Sequence, residues 1–336
     1  MKKIFLSLFF LPFILLSQQT ISDSIYFNGI YRTFITYIPS IYQPSQPAPL
    51  LFNLHGRTGT AYSTMWHADF RPIADTANFI IVHPQGLLDN TGVTHWNIGQ
   101  SSVDDIGFIE ALYQKLISDY NIDLDKVYSA GMSNGGYMSY YLACDMSDKI
   151  AAIASVTGAM SSYTQIICNP VHPTPVMEIH GTYDFTVPFN DIISGLEYWR
   201  DYNNCDLIAD TTLIPDIVSA DLSTVEHIVY NNGSNGVTTE LFKVIGGGHT
   251  WPGSNFSTGV TNYDIDACVE IWKFFSRYDI NGLIQINTKD DDNFFIDDNK
   301  LIRIVNILGH DVVENINTLL FYVYENGQVA KRVILK

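Results

Sequence analysis

Short, nearly unbroken apolar runs recur along the chain, and most of them end in a loop that carries glycine. Leu50-Leu51-Phe52-Asn53-Leu54, Phe79-Ile80-Ile81-Val82, residues 151–156 and residues 175–179 show no polar alternation. Such runs predict strands covered on both faces. Residues 30–39 alternate instead, as a strand with one covered face does, and the proline-rich stretch 43–49 then breaks the pattern. Val127-Tyr128 opens a further short strand, and residues 225–230 and 240–245 pair as a hairpin through the turn residues 231–236. Helices are predicted over 103–120, 136–142, 191–202 and 264–277. Apolar strands alternating with helices predict an α/β fold, a mainly parallel sheet wrapped on both sides, with functional residues at the strand carboxyl ends.

One of those strand ends carries chemistry. After Val127-Tyr128 the chain reads Gly131-Met132-Ser133-Asn134-Gly135 and runs into a helix. This is the G-x-S-x-G pattern, in which a sharp bend exposes a serine at a helix N-terminus and glycines remove clashing side chains. Two more strand ends supply its partners: Asp184 in His180-Gly181-Thr182-Tyr183-Asp184, and His249 in Gly246-Gly247-Gly248-His249-Thr250-Trp251. A serine hydroxyl needs a neutral imidazole to take its proton, and a carboxylate must orient that imidazole and stabilise its cation. The order Ser133, Asp184, His249 is that of an α/β-hydrolase. His55-Gly56-Arg57-Thr58-Gly59 follows another buried strand, so a backbone N–H of Arg57 or Thr58 is the expected partner of the Asn134 N–H in an oxyanion hole. His55 and His180 read as structural. Asp104 and Asp105 read as capping residues at the start of a helix.

Composition narrows the function. The chain has 336 residues, of which 46% are hydrophobic, and a net charge of −17. It lacks the clustered Lys and Arg that nucleic-acid binding requires. No metal is expected, because C-x-x-C and H-E-x-x-H spacings are missing. No cofactor is needed for the chemistry above. Lys2-Lys3 followed by an apolar stretch ending at Leu16 predicts a secretory signal peptide over 1–17, with no membrane span in the mature chain. Export makes the four cysteines disulfide formers. Three connectivities are possible, and the pairing expected here is Cys144 with Cys168 and Cys205 with Cys268.

The stretches LHGRTGT, HPQG, DDIGFI, GMSNGGYMSYYLAC, HGTYDFTVPF and GGGHTWPG, spread over 31–278, closely resemble the secreted esterases grouped as polyhydroxybutyrate depolymerase-like and feruloyl or acetylxylan esterase proteins. The resemblance implies the α/β-hydrolase fold, with Ser133 as nucleophile, Asp184 as acid and His249 as base. It implies hydrolysis of feruloyl or acetyl esters on plant cell-wall polysaccharide, or of a 3-hydroxyalkanoate polyester. Trp251 resembles the family's aromatic beside the histidine and, with Trp96, is expected at the substrate. Where the family commonly has Cys after His-Gly, this chain has Arg57. A prolyl oligopeptidase-type peptidase and a catalytically silent surface-binding protein are the rival readings. An esterase domain is expected over 18–280 and a polar linker over 281–300. The strand-like runs 301–307, 319–324 and 329–335 resemble the C-terminal sorting domain of the type IX secretion system of Bacteroidetes, a small β-sandwich. That resemblance implies an encounter with the secretion machinery, and a final place outside the cell or on its outer surface.

Overall fold

The computed structural model describes residues 18–99, 101–256 and 259–284, and in the C-terminal part 301–305, 312, 319–324 and 329–333. The signal peptide expected over 1–17 and most of the expected linker lie outside these residues. Backbone contacts divide the chain after Ile284. In the first unit, strands β1 (Gln19–Phe27), β2 (Ile30–Ile38) and β3 (Ala48–Leu54) are followed by helices α1 (Ala61–His67) and α2 (Arg71–Ala77). Then come β4 (Ile80–Pro84), the short pair β5 (Leu87–Leu88) and β6 (Thr94–His95), α3 (Asp105–Asp119), β7 (Ile122–Met132), α4 (Asn134–Asp145) and β8 (Ala152–Val156). The chain continues through α5 (Ser162–Ile167), β9 (Val176–Gly181), α6 (Ile193–Tyr202), β10 (Asp210–Ile214), β11 (Thr224–Tyr230), β12 (Thr239–Ile245), α7 (Ala267–Phe275) and the small hairpin of β13 (Tyr278–Asp279) with β14 (Gly282–Leu283).

Ten strands form one sheet in the order β1-β2-β4-β3-β7-β8-β9-β12-β11-β10. The six in the middle run parallel, from β4 to β12, and their apolar sequences are buried on both faces. Alternate residues of one strand serve opposite layers. Leu50, Phe52 and Leu54 pack with α3, α4 and Trp199 of α6, while Leu51 packs with Ala74 of α2 and with Ile271, Phe274 and Phe275 of α7. The hairpin β11–β12 forms as expected, with Thr224 opposite Ile245 and Tyr230 opposite Thr239. Strands β1 and β10 and helices α1, α2 and α5 are additions to the expected set. β1 folds back on β2 through Asn28 and Gly29, both at positive φ (48° and 87°), a two-residue turn of the kind that joins adjacent strands.

Asp104 caps α3 as expected, accepting from the Gly107 N–H at 2.8 Å. Asp105 does something else. It is buried, holds the Arg32 guanidinium at 2.6 Å and accepts from the Asn97 N–H at 2.7 Å.

Cys144 and Cys168 are bonded, with Cα atoms 4.8 Å apart. The second expected pair is corrected: Cys205 and Cys268 are free and buried. Cys205 sits beyond α6 against Val237 and Thr239, at the amino end of β12, whereas Cys268 belongs to α7 and lies beside Trp251, past that strand's carboxyl end. The length of that strand separates the two sulfurs. Among the described residues of the second unit, Leu301–Val305, Leu319–Tyr324 and Val329–Val333 make a three-stranded antiparallel sheet; the rest of the expected β-sandwich lies outside the described residues. Among the described residues no helix is long and apolar enough to cross a membrane.

Candidate active site

Ser133 stands between β7 and α4 with φ 52° and ψ −121°, a region that non-glycine residues rarely enter. The surroundings hold it there. Its N–H donates to the Val156 carbonyl at 2.8 Å, and its carbonyl accepts from the Tyr137 N–H at 3.0 Å. A Cβ on Gly131 would strike the backbone of Gly135, and one on Gly135 would strike the carbonyls of Leu54 and His55. The two glycines of the pattern therefore let β7, α4 and the end of β3 close around the serine.

Asp184 lies just past β9 and is buried. Its Oδ1 accepts from the N–H groups of Thr186 (2.8 Å) and Val187 (2.9 Å), and its Oδ2 is 2.7 Å from Nδ1 of His249. Burial alone would push this carboxyl up, but the bonds from His249 and from the Val187 N–H hold it below the ordinary carboxylate value. His249 follows β12 through three glycines. The Tyr183 N–H donates to the Gly247 carbonyl at 2.8 Å, and the Gly248 N–H donates to that of Val260 at 2.9 Å, so the acid and base loops are laced together. Side chains at Gly181 would collide with the carbonyls of Gly247 and Gly248, which is why a glycine ends β9.

Ser133 and His249 line one cleft of about 270 Å³, together with Gly56, Arg57, Trp251 and Phe256. Trp251 is almost wholly buried, packed edge-to-face with Phe70 with ring centres 6.2 Å apart, and contributes to the cleft wall. Trp96 lies elsewhere. It is buried, its Nε1–H donates to the His55 carbonyl at 2.9 Å, and it borders a separate hollow of about 460 Å³ on the far side of Arg57.

The loop after β3 offers two expected hole donors, and its geometry separates them. The Thr58 N–H is already spent on the Thr94 carbonyl at 3.0 Å, which corrects that expectation and leaves Arg57. The Asn134 N–H is the first of α4, so it has no intrahelical acceptor and lies at the positive end of the helix. A network fixes this loop against the helix. Gly86 N–H donates to Nε2 of His55 at 2.9 Å, so Nδ1 carries the proton and donates to the Gly56 carbonyl at 2.8 Å. The His55 ring lies 4.9 Å from that of Trp96. Burial pulls the His55 imidazole down to about 4, which keeps it neutral.

Phe256, His67 and Ser63 also line the cleft and are not among the residues the sequence singles out, since no motif marks them. His180, which reads as structural, bonds to Glu178 and to the Val187 carbonyl. In the fold its Nε2 lies 3.5 Å from Oδ2 of Asp184. The E-x-H spacing of Glu178 and His180 on a strand was the available signal, since it points both side chains to one face.

A mainly parallel sheet covered on both faces, with Ser133, Asp184 and His249 just past the carboxyl ends of β7, β9 and β12, is the α/β-hydrolase fold. A family model described as Phospholipase/Carboxylesterase matches residues 97–232. The chain is similar to the bifunctional acetylxylan esterase/xylanase XynS20E of Neocallimastix patriciarum, at 28% identity over 79% of this chain and 36% of that protein. It is also similar to feruloyl esterase C of Emericella nidulans, at 26% identity over 70% of this chain and 87% of that one. Feruloyl esterase B of Piromyces equi is 28% identical over 65% of this chain and 42% of its own length, so this chain spans well under half of two of the three. Among solved structures, an acetyl xylan esterase from Aspergillus awamori superposes with a TM-score of 0.57 at 15% identity, over 77% of this chain and 99% of that one.

Proposed function

We propose that the protein is a serine carboxylic ester hydrolase that works through an acyl-enzyme. The observation that carries this reading is the 2.7 Å bond between His249 Nδ1 and Asp184 Oδ2 at the edge of the cleft that holds Ser133. With Nδ1–H donating a hydrogen bond to the carboxylate, His249 keeps Nε2 as the acceptor for the Ser133 proton. The hydroxyl oxygen attacks the ester carbonyl, and the carbonyl oxygen becomes an oxyanion facing the N–H groups of Arg57 and Asn134. As the tetrahedral adduct collapses, the alcohol departs with the proton from His249. Water then gives its proton to the same imidazole and cleaves the Ser133 ester, which frees the acid and restores the serine.

For substrates, the similarity to acetylxylan and feruloyl esterases favours acetyl or feruloyl esters on plant cell-wall polysaccharide. We also read the Lys2-Lys3 start with its apolar run as an export signal, and the strands after 301 as a sorting domain for surface delivery.

Two measurements test the reading. A fluorophosphonate probe should label the wild type at Ser133 and leave Ser133→Ala unlabelled; labelling that survives the substitution overturns the assignment of the nucleophile. Rates on methyl ferulate, acetylated xylan, a polyhydroxybutyrate film and a fluorogenic peptide should rank an aryl or acetyl ester first. A faster polyester or peptide rate overturns the substrate class and leaves the serine chemistry intact.

A further inference from the structure

Behind the acid lies a pair of titratable side chains that the reaction above does not use. Glu178 and His180 stand two residues apart on β9, and both side chains are fully buried. Nδ1 of His180 is 3.0 Å from Oε1 of Glu178, and its Nε2 is 2.8 Å from the Val187 carbonyl. A carbonyl only accepts, so Nε2 carries a proton, and a second proton must lie between Nδ1 and the carboxylate. The other carboxylate oxygen accepts from the Tyr140 hydroxyl at 3.0 Å.

We propose that this pair is a positioning brace for the catalytic acid: His180, held as a cation by Glu178, clamps the 184–187 loop and sets the charge that His249 feels. The proposal rests on the reading of Ser133, Asp184 and His249 as a triad. Val187 is gripped from both sides, its carbonyl by His180 and its N–H by Asp184 Oδ1 at 2.9 Å. The Asp184 oxygen that receives His249 is the one that His180 approaches at 3.5 Å. Loop and carboxylate are thus fixed by a group rooted in a central strand.

Burial lowers the affinity of His180 for its proton, yet the hydrogen bond and charge of Glu178 outweigh it and the net shift is upward. The other groups around the pair leave it undisturbed or act with it. Tyr137 and Tyr140 reach it from α4, with Tyr137 pushed up to about 12 by burial and by the carboxylates of Asp191, Glu178 and Asp184. From β8, Ser155 is the register partner of Glu178. On β12, Lys243 is the register partner of His180 but gives its ammonium to Glu226 at 2.9 Å. The Phe189 ring covers the imidazole, with ring centres 6.0 Å apart. An ion pair this deep is a poor source of stability compared with apolar side chains of the same size. Its contact with Asp184 gives it a use.

The test is Glu178→Gln, which keeps the shape and removes the charge. Its amide can donate to a neutral His180 whose Nε2–H still holds Val187. With a cation lost beside Asp184, the field at His249 becomes more negative, its protonated form is favoured, and the acid limb of the activity profile moves to higher pH. On p-nitrophenyl acetate we expect kcat to fall about 10-fold with KM nearly unchanged, and the limb to move up by about half a pH unit. Glu178→Met with His180→Phe, an uncharged pair of similar volume, should move the limb the same way while the melting temperature stays near the wild type. An unmoved limb in both variants, or a kcat loss that merely follows a fall in melting temperature, overturns the brace. A readout independent of turnover is the ¹⁵N spectrum of the histidines at pH 8: His180 should be doubly protonated in the wild type and singly protonated in Glu178→Gln. A neutral His180 in the wild type overturns the proposal even if Ser133→Ala abolishes activity. Conversely, a doubly protonated His180 beside a fully active Ser133→Ala upholds the ion pair and overturns the triad.

Discussion

The side-chain amide of Asn134 grips the backbone of Trp96 at two points, its Oδ1 accepting from the Trp96 N–H at 2.6 Å and its Nδ2 donating to the Trp96 carbonyl at 3.0 Å. Trp96 in turn holds the His55 carbonyl through its indole N–H. In the proposed mechanism Asn134 therefore both offers its backbone N–H to the oxyanion and, through Trp96, anchors the loop after β3. Asn134→Ala keeps the N–H but releases the loop, and should lower kcat by about 10- to 100-fold, in keeping with the cost of misplacing a catalytic donor by an ångström. Steady-state kinetics beside a melting curve check this. A kcat equal to wild type would mean that the loop holds its place without the amide.

Gly135→Ala should harm the fold and the site together. Its new methyl would fall on the carbonyls of Leu54 and His55, which are backbone atoms of a central strand end and cannot rotate away. Overpacking of this kind costs about 1–3 kcal/mol. Chemical denaturation should show that loss, and fluorophosphonate labelling of Ser133 should slow as the loop after β3 is displaced. Unchanged stability would argue that α4 can shift.

Acid should destabilise the fold through His55. Its folded value is depressed from 6.5 to about 4, so between those pH values the unfolded chain binds a proton that the folded one refuses. Stability is therefore lost as pH falls through that window, by up to about 1.4 kcal/mol per pH unit, and the loss levels off below it. His83, depressed to about 3 by burial, acts in the same direction, whereas His180, raised, acts in the opposite one. Urea midpoints of His55→Gln at pH 7, 6 and 5 should decline less steeply than those of the wild type. Parallel declines would remove His55 from the account.

Thiol chemistry distinguishes the cysteines. Burial pushes the thiols of both Cys205 and Cys268 up, so an aromatic disulfide reagent should react slowly with the native protein. Two thiols should titrate in urea and four after reduction, because one pair is bonded and two are free. Reducing Cys144–Cys168, which closes a segment with a sequence separation of 24, should lower stability by about 3 kcal/mol. Titration of no thiols in urea would restore the second bridge.

Much of this arrangement is written in local sequence. Short, nearly unbroken apolar runs such as Leu50 to Leu54, bounded by glycine-bearing loops, read as strands with two covered faces. The G-x-S-x-G bend and the glycines before His249 mark places where backbones must approach closely. β1 was harder to read because its side chains are mostly half-exposed or exposed, although Asn28-Gly29 marks its turn. β10 is an exposed edge strand with scarcely a buried position. Such strands owe their existence to backbone bonds with a neighbour, which composition does not record.

The order Ser133, Asp184, His249 and the strand ends that bear these residues belong to the linear chain, since apolar patterning and glycine placement act over a few residues. That the Thr58 N–H is taken, which cysteines meet, and that His180 lies beside Asp184 were decided only in three dimensions. Thr94 takes the Thr58 N–H across 36 steps of chain, and Cys205 and Cys268 lie near opposite ends of β12. Contacts of that kind depend on the packing of distant segments, and no local pattern carries them.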